Sequence, residues 1–163
     1  MKHKFLKSVA GLAMFASAFA FAQTPYPTKP ITMIVPFAAG GPTDTVARLV
    51  AQSMGNTLKQ TVLVENVGGA GGTIGAARVA KSAPDGYTLF LHHIGQSTAP
   101  SLYRKLSYNA VDDFEPIGLI TDVPMTFIAR GDFPAKDLKE LLAYVKANKS
   151  KVTYANAGVG SAS

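Results

Sequence analysis

Two regimes of apolar patterning alternate along this chain: short continuous apolar runs, and longer stretches with an apolar residue every three or four positions. Ile31 to Val35 is a continuous run closed by Pro36, the pattern of a strand buried on both faces. Val46, Leu49, Val50 and Met54 then fall at helical spacing. Thr61 to Glu65 is again β-branched and apolar, and the Ala-rich stretch from about Thr73 to Lys81 predicts a short helix. Thr88 to His92 predicts a third strand. Gly95 to Pro100 reads as a polar loop leading to a short turn near Leu102, and Tyr108 to Glu115 as irregular and acidic. Ile117–Ile120, Met125–Ala129 and Val152–Tyr154 read as strands. Asp137 followed by Glu140 makes a capping box with Asp in the first position. Leu138, Leu141, Leu142 and Val145 then share one helical face. Strands alternating with helices predict an α/β fold with a mostly parallel sheet. The last strand is followed by a Gly-rich turn where a helix is due, so the pattern predicts a fragment cut at the start of an element, the alternative being a short protein with a loose tail.

The N-terminus has a different character. Lys2, Lys4 and Lys7 precede an apolar run from Val9 to Ala22, which ends in Ala20-Phe21-Ala22. A run of about 14 residues is too short for a bilayer, which takes about 20. The small-x-small ending is that of a cleavable secretory leader, so residues 1–22 are expected to be a signal peptide and the mature protein to be exported and soluble, in the periplasm. The full sequence carries a net charge of +6, which suggests nucleic acid. Without the three leader lysines, 13 basic residues face 10 acidic ones, a charge of +3 scattered singly along the chain. A nucleic-acid binder should show a clustered basic stripe, so none is expected as a partner. With 47% apolar and 16% charged residues a packed core is expected. The chain has no Cys, which excludes disulfides, thiolate metal sites and cysteine nucleophiles.

Three Gly-rich turns carry the candidate chemistry: Phe37-Ala38-Ala39-Gly40-Gly41, Gly68-Gly69-Ala70-Gly71-Gly72, and Asn156-Ala157-Gly158-Val159-Gly160-Ser161. In a parallel α/β sheet such turns converge at one edge, where ligands bind. A helix that begins there presents unpaired N–H groups and the positive end of its dipole, and Gly lets a ligand oxygen come close. None of the three contains Lys or Arg, so an anion would be held by main-chain N–H groups and hydroxyls. Asp44, just beyond the first turn, either complements the helix start or also touches the ligand; Phe37 is either core or a lid on the ligand.

Sharper motifs fail. A dinucleotide fingerprint needs Gly at 74, where Ile stands, and no Gly-Lys pair offers a P-loop. Gly95-Gln96-Ser97-Thr98-Ala99 is close to a nucleophile elbow, but its last Gly is Ala and no His follows Ser97. Adjacent His92 and His93 on a strand would face opposite sides, one packed and one exposed, rather than bind a metal. No catalytic residue, metal site or cofactor is expected.

Several motifs in order carry a family resemblance: Tyr26-Pro27-Thr28-Lys29-Pro30-Ile31, Val35-Pro36-Phe37 through Asp44, Val64-Glu65-Asn66 with Gly68 to Gly75, Pro84-Asp85-Gly86-Tyr87-Thr88-Leu89, Phe114-Glu115-Pro116-Ile117, and Tyr154 through Ser161. Together they resemble the tripartite tricarboxylate transporter substrate-binding proteins, the Bug family. The resemblance implies a type 2 periplasmic binding protein-like fold: two α/β domains around a cleft, with residues 23–122 in the first and 123–163 the start of a truncated second. It implies a monomeric receptor that closes on small carboxylates and hands them to membrane transporter subunits. The ligand-binding positions it marks are Phe37, Ala39, Gly40, Gly41 and Asp44; Ala70, Gly71 and Gly72; Gln96 and Ser97; and Asn156, Ala157, Gly158, Gly160 and Ser161. The alternative is an exported hydrolase-like α/β enzyme acting on a small acidic substrate.

Overall fold

The computed structural model describes residues 25–122, 124 and 126–155. The chain runs β1 (Ile31–Val35), α1 (Pro42–Leu58), β2 (Val62–Asn66), a 3-10 turn (Ala70–Gly72), α2 (Thr73–Ala80), β3 (Thr88–Phe90), α3 (Gly95–Leu102) and α4 (Leu138–Ala147). The three strands form a parallel sheet in the order β2-β1-β3. β1 is central, as its unbroken apolar run requires: Ile31, Ile34 and Val35 are fully buried. Met33 sits level with Val64 on one side and Leu89 on the other. These residues, with Val35 and Leu91, make the surface on which α1 packs through Ala47, Val46, Val50 and Met54. Full burial of such side chains contributes roughly 1.5–3 kcal/mol each.

The inward face of α1 is narrower than its apolar spacing suggested. Ala47 and Ala51 are buried, whereas Leu49 points to solvent. Small residues let the helix lie close to the sheet. α2 packs the same way: a Cβ on Gly75 would stand 2.8 Å from the Val67 carbonyl oxygen and 2.9 Å from Pro36 Cβ, so only Gly fits between them. The turn read at Pro84-Asp85-Gly86 is present, with Gly86 at φ +81°.

Several expectations are corrected. β3 ends at Phe90, not His92; Leu91 still donates to Ile34 O at 3.0 Å, and the chain then turns away. Residues 95–102 form α3 rather than a polar loop. Gly95 and Ala99 supply that helix with a small buried face, and Pro100 lies inside it, where it removes one i→i−4 hydrogen bond. Residues 117–120 and 126–129 are exposed and in no strand. Apolar, β-branched content gives strand propensity, but a strand also needs a pairing neighbour, and among the described residues these segments have none. Residues 152–154 are likewise in no strand. The predicted helix at 138–147 is present, and its cap forms as read: Asp137 Oδ1 accepts from Glu140 N–H at 2.8 Å, and Glu140 Oε2 accepts from Lys136 N–H at 2.8 Å. None of its residues is buried, the leucine face included. Among the described residues no helix is long and apolar enough to cross a membrane. Residues 1–22, the expected leader, lie outside the described residues.

Candidate functional site

Because all three strands run parallel, the segments that follow them leave from one edge of the sheet. The first is the loop from Pro36 to Gly41, between β1 and α1. Pro36 is fully buried, while Ala38, Ala39 and Gly40 are exposed. Gly40 has φ +80°, a conformation an L side chain rarely takes. Asp44, in the first turn of α1, is almost wholly buried at 2% exposure. Its Oδ2 accepts from Gly40 N–H at 2.8 Å and from Arg48 Nε at 2.9 Å, and its Oδ1 accepts from Asn66 Nδ2 at 2.9 Å. The same Asn66 amide donates to Phe37 O at 3.0 Å. Hydrogen bonds from Arg48, from the Gly40 amide and from Asn66 hold the Asp44 pKa down, from 3.8 to about 2, against the opposing effect of burial. Gly41 N–H donates to Ala38 O at 3.4 Å. Among the described residues, no acceptor meets the amides of Ala38, Ala39, Thr43 or Asp44.

The second segment runs from Val67 into the 3-10 turn. Ala70, Gly71 and Gly72 have φ of 46°, 61° and 97°. Gly71 and Gly72 are buried, and Ala70 is exposed. Three consecutive left-handed residues explain the Gly content: they turn the chain abruptly into α2.

The third segment follows β3. His92 Nδ1 accepts from His93 N–H at 2.7 Å, and His93 Nδ1 accepts from Gly95 N–H at 3.1 Å. Each ring therefore carries its proton on Nε2. Burial, with a smaller contribution from His93, lowers the His92 pKa from 6.5 to about 3, and burial lowers that of His93 as well. Both imidazoles are neutral at pH 7. The two rings meet edge-on with 5.0 Å between centroids, and Phe37 completes a triangle with them, stacked on His93 at 4.4 Å and edge-on to His92 at 5.3 Å. The expectation of one packed and one exposed His is thus corrected: both are half-buried, because the strand stops before them. Phe37 also touches the core, and His92 Nε2 lies against Gly72.

All three segments therefore meet around Pro36, Phe37 and His92. Of the sequence-predicted positions, Phe37 and Gly72 lie at this junction. Gly40 and Asp44 are tied to each other at the exposed end of the first loop. Gln96 Nε2 donates to Ala110 O at 3.0 Å, and its Oε1 is buried with no hydrogen-bond partner among the described residues. Ser97 is exposed, and its hydroxyl donates to Ile94 O at 2.9 Å. Asn156, Ala157, Gly158, Gly160 and Ser161 lie outside the described residues. Along α1, an open depression is lined by Ala39, Gly40, Asp44, Thr45, Arg48, Leu49 and Gln52. Among the described residues no group of three His, Asp or Glu is placed to hold a metal ion.

Sequence reasoning missed Asn66, Arg48 and the His92–Phe37–His93 stack. Asn66 had a readable signal. It is the polar residue that ends an apolar strand, and register sets it opposite Val35, at the same edge as the first loop. Arg48 stands four residues after Asp44, the spacing of a helical ion pair.

Residues 46–163 match the family model described as the tripartite tricarboxylate transporter family receptor. The chain is 57% identical over 142 residues to the UPF0065 protein in the TAR-I ttuE-ttuC' intergenic region of Agrobacterium vitis, covering 87% of this chain and 41% of that protein. Among solved structures it is similar to the periplasmic binding protein BugD, at 62% identity and a TM-score of 0.77, over 85% of this chain and 46% of that one. It is also similar to MatC from Rhodopseudomonas palustris with bound malate, at 47% identity and a TM-score of 0.80, over 85% and 47%. The chain thus spans less than half the length of these relatives, and its parallel α/β unit is part of a periplasmic binding protein fold. By the family match and these identities, the chain belongs to the tripartite tricarboxylate transporter receptor family.

Proposed function

We propose that this chain is the first half of an exported receptor that captures small carboxylates in the periplasm and delivers them to the membrane subunits of a tripartite tricarboxylate-type transporter, without catalysis. On this reading residues 1–22 are the cleaved leader, 23–122 build the first domain, and 123–163 open the second. The observation that carries it is the exposed loop at the start of α1. Its amides at Ala38, Ala39, Thr43 and Asp44, which meet no acceptor among the described residues, cluster at the positive end of a 17-residue helix. The loop sequence from Phe37 to Asp44 holds no Lys or Arg, so a carboxylate there would be gripped by main-chain donors. The malate bound in MatC supports a carboxylate cargo.

One helix terminus contributes about 0.3–2 kcal/mol of charge stabilisation. Micromolar affinity needs about 8 kcal/mol. The remainder must come from direct hydrogen bonds and enclosure, which closure of the second domain would add through Asn156, Ala157, Gly158, Gly160 and Ser161. Around the anion, Phe37 supplies an apolar wall backed by two neutral imidazoles, while Ala70 to Gly72, Gln96 and Ser97 border the cleft.

A thermal-shift screen of the intact receptor against mono-, di- and tricarboxylates tests the reading. Binding to the folded state raises stability by about 2.7 kcal/mol at a hundredfold excess over Kd. The expected result is stabilisation by a carboxylate recovered chemically unchanged. Stabilisation by no carboxylate, or a product formed from one, would overturn it.

A further inference from the structure

We infer that the side chains of Asp44 and Asn66 are positioning groups, which give the β1–α1 loop its anion-receiving shape from beneath and do not touch the cargo. The inference rests on the receptor reading above; it decides the part of the Asp44 side chain, which the sequence left open, and gives one to Asn66, which the sequence did not single out.

Every contact of the pair is directed into the protein. One Asp44 oxygen is taken by the Gly40 amide and Arg48 Nε, the other by Asn66 Nδ2. The carboxylate is almost wholly buried and therefore has little access to cargo. Asn66 spends its amide group on Asp44 Oδ1 and on Phe37 O, and its Oδ1 receives Arg48 Nη2 at 3.4 Å. The two residues thus hold the loop at both ends, Phe37 by its carbonyl and Gly40 by its amide. Asn66 is itself fixed, because it ends β2 in register with Val35.

This bracing has a chemical consequence. Pulling the Phe37 carbonyl onto Asn66 removes an acceptor that would repel an anion. Holding the Gly40 amide on Asp44 fixes a left-handed turn, φ +80°, from which the amides of Ala38 and Ala39 meet no acceptor among the described residues. The Asp44 charge would oppose an anion in the loop, and Arg48 offsets it at 2.9 Å. Asp is required at 44 because three donors converge there, and Asn at 66 because one group must serve both a carboxylate and a carbonyl.

The test uses the intact receptor with Asn66→Ala, Asn66→Ser and Asp44→Asn. Malate, succinate and citrate are titrated calorimetrically, and the Gly40 and Met33 amides are followed by NMR. Asn66→Ala is expected to weaken the best of these ligands at least tenfold and to shift the Gly40 amide upfield, while the Met33 amide in β1 keeps its shift. Asn66→Ser keeps one donor for two acceptors, so an intermediate loss is expected. Asp44→Asn sets an NH2 against either Asn66 Nδ2 or the Gly40 and Arg48 donors, so one end of the brace is lost and the variant should resemble Asn66→Ala. Met33 separates local loss of the loop from general unfolding. Wild-type affinity in both Asn66→Ala and Asp44→Asn, or a bound structure with cargo on Asp44 Oδ or the Gly40 amide, would overturn the inference while leaving the receptor reading intact. If the wild type binds none of the three ligands, the receptor reading fails for this cargo class. The brace is still upheld by a Gly40 shift that moves in Asn66→Ala, or overturned by one that does not.

Discussion

The imidazole of His92 rests on the backbone of Gly72. A Cβ at position 72 would stand 2.9 Å from His92 Nε2 and 3.3 Å from Pro36 Cβ, at a backbone φ of +97°. Gly72 is thus where the second loop at the sheet edge is pressed against the first and third, and its lack of a side chain is a packing requirement as well as a conformational one.

Two alanine substitutions separate these requirements. Gly40→Ala meets no atom within 4 Å but must hold φ +80°, so its expected cost is the left-handed strain alone, about 1–2 kcal/mol. Gly72→Ala adds a clash with a half-buried ring to the same strain, for a total of about 2–4 kcal/mol. Urea unfolding of the intact receptor measures both. Equal losses would mean that His92 swings away freely and that the three loops are not locked together.

Stability should fall with acid well before the carboxylates titrate. In the folded protein His92 has a pKa of about 3, lowered by burial and then by His93, against 6.5 for a free imidazole. Between those values the unfolded chain binds the proton and the folded one does not, so folding is favoured as pH rises through this window and weakened as pH falls from 6.5. His93, lowered by burial, acts in the same direction. A single such group imposes a slope of at most about 1.4 kcal/mol per pH unit. Melting temperatures from pH 7.5 to 4 read it directly. His92→Asn should flatten the profile whatever its effect at pH 7, and an unchanged slope would place the acid sensitivity elsewhere.

How much of this was legible depended on whether local pattern and tertiary packing agreed. β1 was readable because five apolar residues end at a Pro, and the structure buries them in the centre of the sheet. The start of α4 was readable because an N-cap is a local device that needs no partner. α3 was hidden: Gly95, Ser97, Thr98 and Pro100 are poor helix formers, and the helix forms where Gly95 and Ala99 can be buried. The segments at 117–120 and 126–129 failed in the opposite sense, since strand propensity without a pairing neighbour leaves an exposed chain. At the site, the Gly turns showed where a ligand could approach. They did not show that Asn66, distant from Val35 in sequence but beside it in register, ties the first turn down.

The cap at α4 yields a prediction confined to that helix. Asp137→Ala removes the acceptor of Glu140 N–H and should cost about 1 kcal/mol of local helix stability. No residue of α4 is buried, so the loss should appear as faster amide exchange within 138–147, with β1 amides unaffected. Unchanged exchange within 138–147 would mean that the helix is held by something other than its cap, and faster exchange throughout the sheet that the cap supports more than this helix.

Arg48 is the only cation paired with Asp44 among the described residues, and its removal has a pH signature. Its hydrogen bond is the first cause of the low Asp44 pKa, ahead of the Gly40 amide and Asn66, while burial works against all three. An acid whose folded pKa is depressed stabilises the fold above its free value and loses that contribution as pH falls through the folded one. For Asp44 the window runs from 3.8 down to about 2. Arg48→Met keeps the aliphatic stem but leaves a buried carboxylate with neutral donors only. The variant should melt below the wild type at pH 7, and the gap should shrink as pH falls through this window and close near its lower end, where Asp44 is protonated in both. A gap that stayed constant with pH would show that Arg48 matters through the packing of its stem, and that the Asp44 charge needs no counter-ion.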